Sequence, residues 1–136
     1  MASPRYISLG EAIALHEFIM RKVGVAPAPL RDEAALEAAL MRAQMAAHYE
    51  EADLVRQAAL IAIGISQAQA FVDGNKRTAY ICCDVFLEAN GLLYTGPAVE
   101  LSKQLEAVAE RQGSLSDATD RFESWLRGHV EELSPR

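Results

Sequence analysis

The sequence predicts an all-α protein, a single compact bundle of about six helices. Two observations carry this. Apolar residues recur at helical spacing in segments divided by short turns. Two of those segments, Ala58–Ile65 and Ala79–Leu87, are apolar on nearly every face, as helices in the middle of a bundle are. The pattern is also notable for what it lacks, since no run alternates as a half-buried strand does. The one strand candidate, Leu92-Leu93-Tyr94, reads as too short to carry a sheet.

Taken in order, Ser8-Leu9-Gly10-Glu11 is a capping-box pattern that opens a helix to about Val23. Its stripe is Leu9, Ala12, Ile13, Ile19, Met20 and Val23, and Gly24 stops it. Ala26-Pro27-Ala28-Pro29 cannot continue a helix. Asp32 caps a second helix that passes through Leu36 and Leu40 to about Met45. Ala46–Ala52 shows no clear period and reads as a loop or flap. Asp53 caps a third helix to about Ala68. A fourth spans about Asn75–Glu88 and ends at Asn90-Gly91. A fifth covers about Ala98–Glu110. The last starts near Ser116 and carries Phe122, Trp125, Leu126 and Val130.

A length of 136 residues suits one domain with one core, expected over 1–136. The net charge of −6 argues against a general nucleic-acid surface, which needs clustered cations, so no direct nucleic-acid binding is expected. No apolar run approaches the roughly 20 residues needed to cross a bilayer. Arg5 and Glu11 interrupt the start, which does not read as a secretory signal. A cytoplasmic protein is therefore expected, with no membrane partner. Adjacent Cys82 and Cys83 suit neither a zinc site nor a redox pair and read as small buried residues.

The chemistry gathers at Asp73-Gly74-Asn75-Lys76-Arg77, between the two most apolar helices. A helix N-terminus carries partial positive charge, so Lys76 and Arg77 in a first turn are unfavourable unless an anion is present. Open backbone N–H groups, a glycine that permits close approach and two cations make a phosphate cradle from Gly74, Asn75, Lys76 and Arg77. Asp73 adds a carboxylate able to hold Mg²⁺ against phosphate oxygens. A plain reading stands beside this one: Asp73 as a helix cap, Gly74 as a turn residue, and Lys76 and Arg77 as a solvated face. On the loop alone the two stand level.

The loop Phe71-Val72-Asp73-Gly74-Asn75-Lys76-Arg77 resembles the Fic/Doc family pattern, His-x-Phe-x-Asp/Glu-Gly/Ala-Asn followed by Gly-Arg or Lys-Arg. The Lys-Arg form, with Tyr80 where a second arginine would stand, resembles the death-on-curing branch rather than the AMP-transferring one. Tyr6-Ile7-Ser8-Leu9, Leu15-His16-Glu17, Leu30-Arg31-Asp32, Leu36–Leu40 and Phe86–Gly91 extend the likeness over Tyr6–Gly91. The motif loop, taken as 69–77, is then the active site. The resemblance implies a Doc-type toxin of a toxin–antitoxin pair. Such a protein uses ATP and Mg²⁺ to transfer a phosphoryl group to a hydroxyl of a translation elongation factor. Asp73 would hold the metal, and Lys76 and Arg77 would be catalytic by neutralising developing charge.

One departure is prominent. The family's general-base histidine falls at position 69, where this chain has Gln69. An amide has no titrating group to accept the proton. Three accounts remain open: a silent member of the family, a member using another base, or a histidine lost by a one-nucleotide change under selection against toxicity. A catalytically silent module that binds nucleotide or antitoxin is the alternative function, with AMP transfer a further one. The family's inhibitory pattern, Ser/Thr-x-x-x-Glu-Gly/Asn, is incomplete at Ser102–Glu106, followed by Ala107, and at Thr119–Glu123, followed by Ser124. An antitoxin acting in trans is the implied partner. His16 reads as a buried structural histidine, His48 as solvated, and His129 as favourable near a helix end. Phe71 reads as a core plug that fixes the loop.

Overall fold

The computed structural model describes residues 3–133. Its helices are α1 (Leu9–Lys22), α2 (Glu33–Glu50), α3 (Leu54–Ala68), α4 (Asn75–Ala89), α5 (Ala98–Ala109) and α6 (Leu115–Arg127). Two three-residue strands, β1 (Leu92–Tyr94) and β2 (Val130–Glu132), complete it. The fold is all-α apart from that ribbon. The ends of the domain expected over 1–136 lie outside the described residues.

Four helices begin at side-chain caps; three of these, Ser8, Asp32 and Asp53, are expected from the sequence, and the fourth is Ser114, just before the expected start near Ser116. Ser8 Oγ accepts the Glu11 N–H at 3.1 Å and Glu11 Oε1 accepts the Ser8 N–H at 2.9 Å, a complete capping box. Asp32, Asp53 and Ser114 accept the N–H groups of Ala35, Arg56 and Asp117 at 3.0, 2.9 and 3.0 Å. Each such cap contributes about 1 kcal/mol.

The structure corrects three expectations. Ala46–Glu50 is helix, not a flap: α2 continues to Glu50 and turns at Glu51, whose φ is 53°. The reason lies in its small side chains. Leu36, Ala39, Leu40, Ala43 and Ala46 form a buried helical face, but alanines mark a period weakly. They allow close approach, since a Cβ placed on Gly64 of α3 would meet the Ala39 Cβ at 3.2 Å and the Ala39 carbonyl oxygen at 3.3 Å. Second, Leu92–Tyr94 does form a strand, paired antiparallel with β2 in the register Leu92–Glu132, Leu93–Glu131 and Tyr94–Val130. Third, Val130 belongs to that strand, because α6 ends at Arg127.

Helix α3 lies at the centre, packed chiefly on α4 and α2 and also on α6 and α5. One hydrophobic core draws on all six helices, with Phe71, Phe86 and Phe122 among its largest fully buried side chains. Burying a side chain of that size contributes roughly 1.5–3 kcal/mol. Ion pairs fasten α6 to the start of α3: Arg127 to Asp53 at 2.8 Å, Arg56 to Asp120 at 2.9 Å, and both arginines to Glu123. Cys82 and Cys83 are fully buried and unpaired with each other, and burial pushes the Cys82 thiol up to about 12. Neither is therefore a reactive thiolate.

Candidate active site

The motif loop is braced on three sides. From the segment before α2, Arg31 N–H and Asp32 N–H donate to the Ala70 carbonyl at 2.8 and 3.1 Å, and the Val72 N–H donates to the Pro29 carbonyl at 3.1 Å. The Arg31 guanidinium adds two bonds to the Gln69 carbonyl, at 2.9 and 3.2 Å. From below, α1 supplies His16 and Met20, which meet the loop at Asp73 and Gly74. From within, Asn75 ties the loop to itself: its Oδ1 accepts the Phe71 N–H at 3.0 Å and its Nδ2 donates to the Phe71 carbonyl at 2.9 Å.

That last pair revises one expectation. Read from the sequence, Asn75 offers its amide to phosphate. In the structure that amide is buried and holds the loop's shape, leaving its backbone N–H for a ligand. Phe71 plugs the core as expected, at 1% exposure. Gly74 sits at φ 85°, and a Cβ there would lie 2.5 Å from Met20 Sδ. The loop approaches α1 this closely because residue 74 has no side chain.

Beyond the loop, α4 begins without a side-chain cap. Its first intrahelical bond runs from the Thr78 N–H to the Gly74 carbonyl, at 2.9 Å, so the N–H groups of Asn75, Lys76 and Arg77 have no partner within the helix. Helix α5 also lacks a side-chain cap, but its first turn carries acidic Glu100, whereas the first turn of α4 holds Lys76 and Arg77 and no acid. Among the described residues, open donors, the positive helix end and two cations coincide only in α4.

Gln69, Val72, Asp73, Gly74, Asn75, Lys76, Arg77 and Ser102 line one cavity of ≈ 480 Å³. The structure thus brings together every site residue expected from the sequence. Asp73 is exposed, and its Oδ1 accepts the Gly74 N–H at 2.8 Å. Among the described residues no cluster of three metal-ligating side chains occurs. A lone carboxylate beside open N–H groups and two cations fits Mg²⁺, which is commonly held by one or two carboxylates together with substrate phosphates. Arg77 is exposed and makes no ion pair among the described residues. Gln69 caps α3 in the left-handed region, at φ 51°, and its Nε2 donates to the Ser66 carbonyl at 2.8 Å.

The sequence did not mark Arg31 as a brace, and it offered Ser102–Glu106 of α5 only as an incomplete inhibitory pattern; the structure places both of those residues beside the loop. Glu106 Oε1 lies 3.2 Å from Lys76 Nζ. Thirty positions separate the two, and helical periodicity gives no sign of such a contact. His48 lies in the last turn of α2 against Tyr49, and His129 stacks on Trp125; neither lines the cavity. A larger, mainly apolar groove of ≈ 830 Å³ between residues 3–5, the start of α3 and the end of α4 contains no motif residue.

A helical bundle that presents this loop at the uncapped start of a buried helix defines the class: the chain belongs to the Fic/DOC family, whose model matches residues 6–87. Among curated proteins, it is similar to the protein kinase doc of Escherichia phage P1. The two are 33% identical over 118 residues, covering 85% of this chain and 91% of the phage protein.

Proposed function

We propose that this protein is a Doc-type toxin whose cavity binds ATP with Mg²⁺ for phosphoryl transfer to a hydroxyl of a translation elongation factor. The observation that carries the reading is the uncapped first turn of α4, with its open N–H groups, Lys76 and Arg77 facing one cavity with Asp73. The likeness to a phage protein named as a kinase favours phosphoryl transfer over AMP transfer.

In this scheme the backbone N–H groups of Asn75, Lys76 and Arg77 bind the phosphates, and the two cations balance charge as the γ-phosphoryl group leaves. Asp73 would hold the metal, which when bound neutralises neighbouring phosphate oxygens. Asn75 keeps the loop in its binding shape through Phe71. Gln69 occupies the general-base position and accepts no proton, so turnover by this sequence is lower by a factor of ~10²–10⁴ than with a base there. Binding of nucleotide does not require the base.

Control by an antitoxin in trans follows from the incomplete Ser102–Glu106 pattern in α5. Glu106 pairs with Lys76 there, and the cavity remains open beside Ser102. A second reading, a silent nucleotide- or antitoxin-binding module, is favoured by Gln69 alone. Label transfer separates them. The Gln69→His protein, given γ-labelled ATP and a cell extract, should label one elongation factor, and the product of the neighbouring gene should stop it. Labelling of no protein, with nucleotide bound, selects the silent module.

A further inference from the structure

We infer that His16 is a positioning residue that aims the backbone of the motif loop, an inference that rests on the anion-site reading above. Its imidazole, from the middle of α1, is 1% exposed and lies face to face on Phe71, with ring centroids 3.7 Å apart and planes 8° from parallel. Its Nε2 stands 3.0 Å from the Asp73 carbonyl oxygen. A carbonyl only accepts, so Nε2 carries the proton and the tautomer is set.

The consequence lies on the other side of the same peptide. In a trans peptide the C=O and the next N–H point in opposite directions. No cis bond occurs in the described chain. His16 draws the Asp73 carbonyl into the core, so the Gly74 N–H turns outward, where it donates to Asp73 Oδ1 at 2.8 Å. One buried ring thereby orients the peptide that leads into the cradle and, through the Gly74 N–H, the carboxylate read as the metal ligand. The fit is close, since a Cβ on Gly74 would lie 3.2 Å from His16 Nε2.

A histidine that served packing alone would be replaceable by an apolar ring. Burying a polar ring is unfavourable unless its N–H finds a partner, and here that partner is a loop carbonyl. The two roles of the ring can therefore be separated. His16→Phe keeps an aromatic face for Phe71 and removes the donor. His16→Gln keeps a donor and removes the ring.

The test records the Gly74 amide resonance of the unliganded full chain and the affinity for ATP with Mg²⁺ in the parent and both variants. The expected result is a displaced Gly74 resonance and about tenfold weaker binding for His16→Phe, as for the loss of one well-placed hydrogen bond. His16→Gln should keep the parent resonance and bind within about threefold. Parent-like behaviour of His16→Phe overturns the inference, and so does a His16→Gln protein that loses as much as His16→Phe. Should His16→Phe fail to fold, the Gln variant decides alone, by keeping or losing the Gly74 resonance. If the parent binds no nucleotide, the anion-site reading falls, while the Gly74 resonance still reports whether His16 aims the loop.

Discussion

Gln69→His places a titrating group where this family keeps its general base, and the structure sets what the change should cost. Residue 69 already adopts φ 51°, a left-handed conformation in which histidine is among the better tolerated residues. The side chain is exposed; its bond to the Ser66 carbonyl at 2.8 Å would be lost, with the longer one that its Oε1 accepts from Asn75 Nδ2 at 3.4 Å. A typical net hydrogen bond contributes about 0.5–1.5 kcal/mol, which corresponds to a melting-temperature change within about 5 °C for a domain of this size. The catalytic gain should be far larger, ~10²–10⁴ in rate. Imidazole titrates near pH 6.5 when unperturbed, so the gained activity should fade below roughly that pH. The assay is single-turnover transfer from γ-labelled ATP to purified elongation factor, with host growth on induction as the cellular readout. Adding Asp73→Ala should abolish the gain, because the metal ligand is removed. A well-folded Gln69→His protein that binds nucleotide yet transfers no label and leaves growth unchanged would show that this site lacks more than a general base.

Three further outcomes are expected. Glu106→Gln removes the counter-ion 3.2 Å from Lys76, so ATP affinity should rise a few-fold with little change in stability, as for an exposed ion pair; unchanged or weaker binding in titrations would show that Glu106 does not compete with phosphate. Gly64→Val should destabilise by roughly 1–3 kcal/mol in urea unfolding, because its Cβ would press on Ala39, including the backbone carbonyl. The Asp53 carboxyl is held below the ordinary carboxylate range, first by its hydrogen bond from Arg127. Its folded value is depressed, so its contribution is present above the unfolded value, roughly pH 4, and is lost as pH falls below it; Asp53→Asn should flatten that part of the stability–pH curve.

Much of this molecule is legible in its sequence because the signals are local. Ser8 with Glu11, Asp32 and Asp53 announce helix starts through bonds that span three residues. The apolar faces of α3 and α4 announce their own burial, and the motif loop lies between them. What stayed hidden depends on partners distant in the chain or on small side chains. The end of α2 is built on alanines that give little periodic contrast. The β1–β2 ribbon joins residues nearly forty positions apart, so Leu92–Tyr94 could be marked as a strand candidate but its partner at Val130–Glu132 could not. Asn75 could face phosphate or Phe71 equally well until the loop's backbone was placed. His16 reads as a core residue from its helical position, and only the fold brings it to the Asp73 carbonyl.

Calorimetric titration of ATP with Mg²⁺ into the unmodified chain probes the proposed anion site at the start of α4 without an intermediate step. Saturable binding is expected despite Gln69. Lys76→Ala with Arg77→Ala should weaken it by about a hundredfold or more, since each charge-assisted bond contributes ~1.5–3 kcal/mol. A folded parent chain that takes up no nucleotide, or a double variant that binds as the parent does, would mean that α4 does not begin at an anion site.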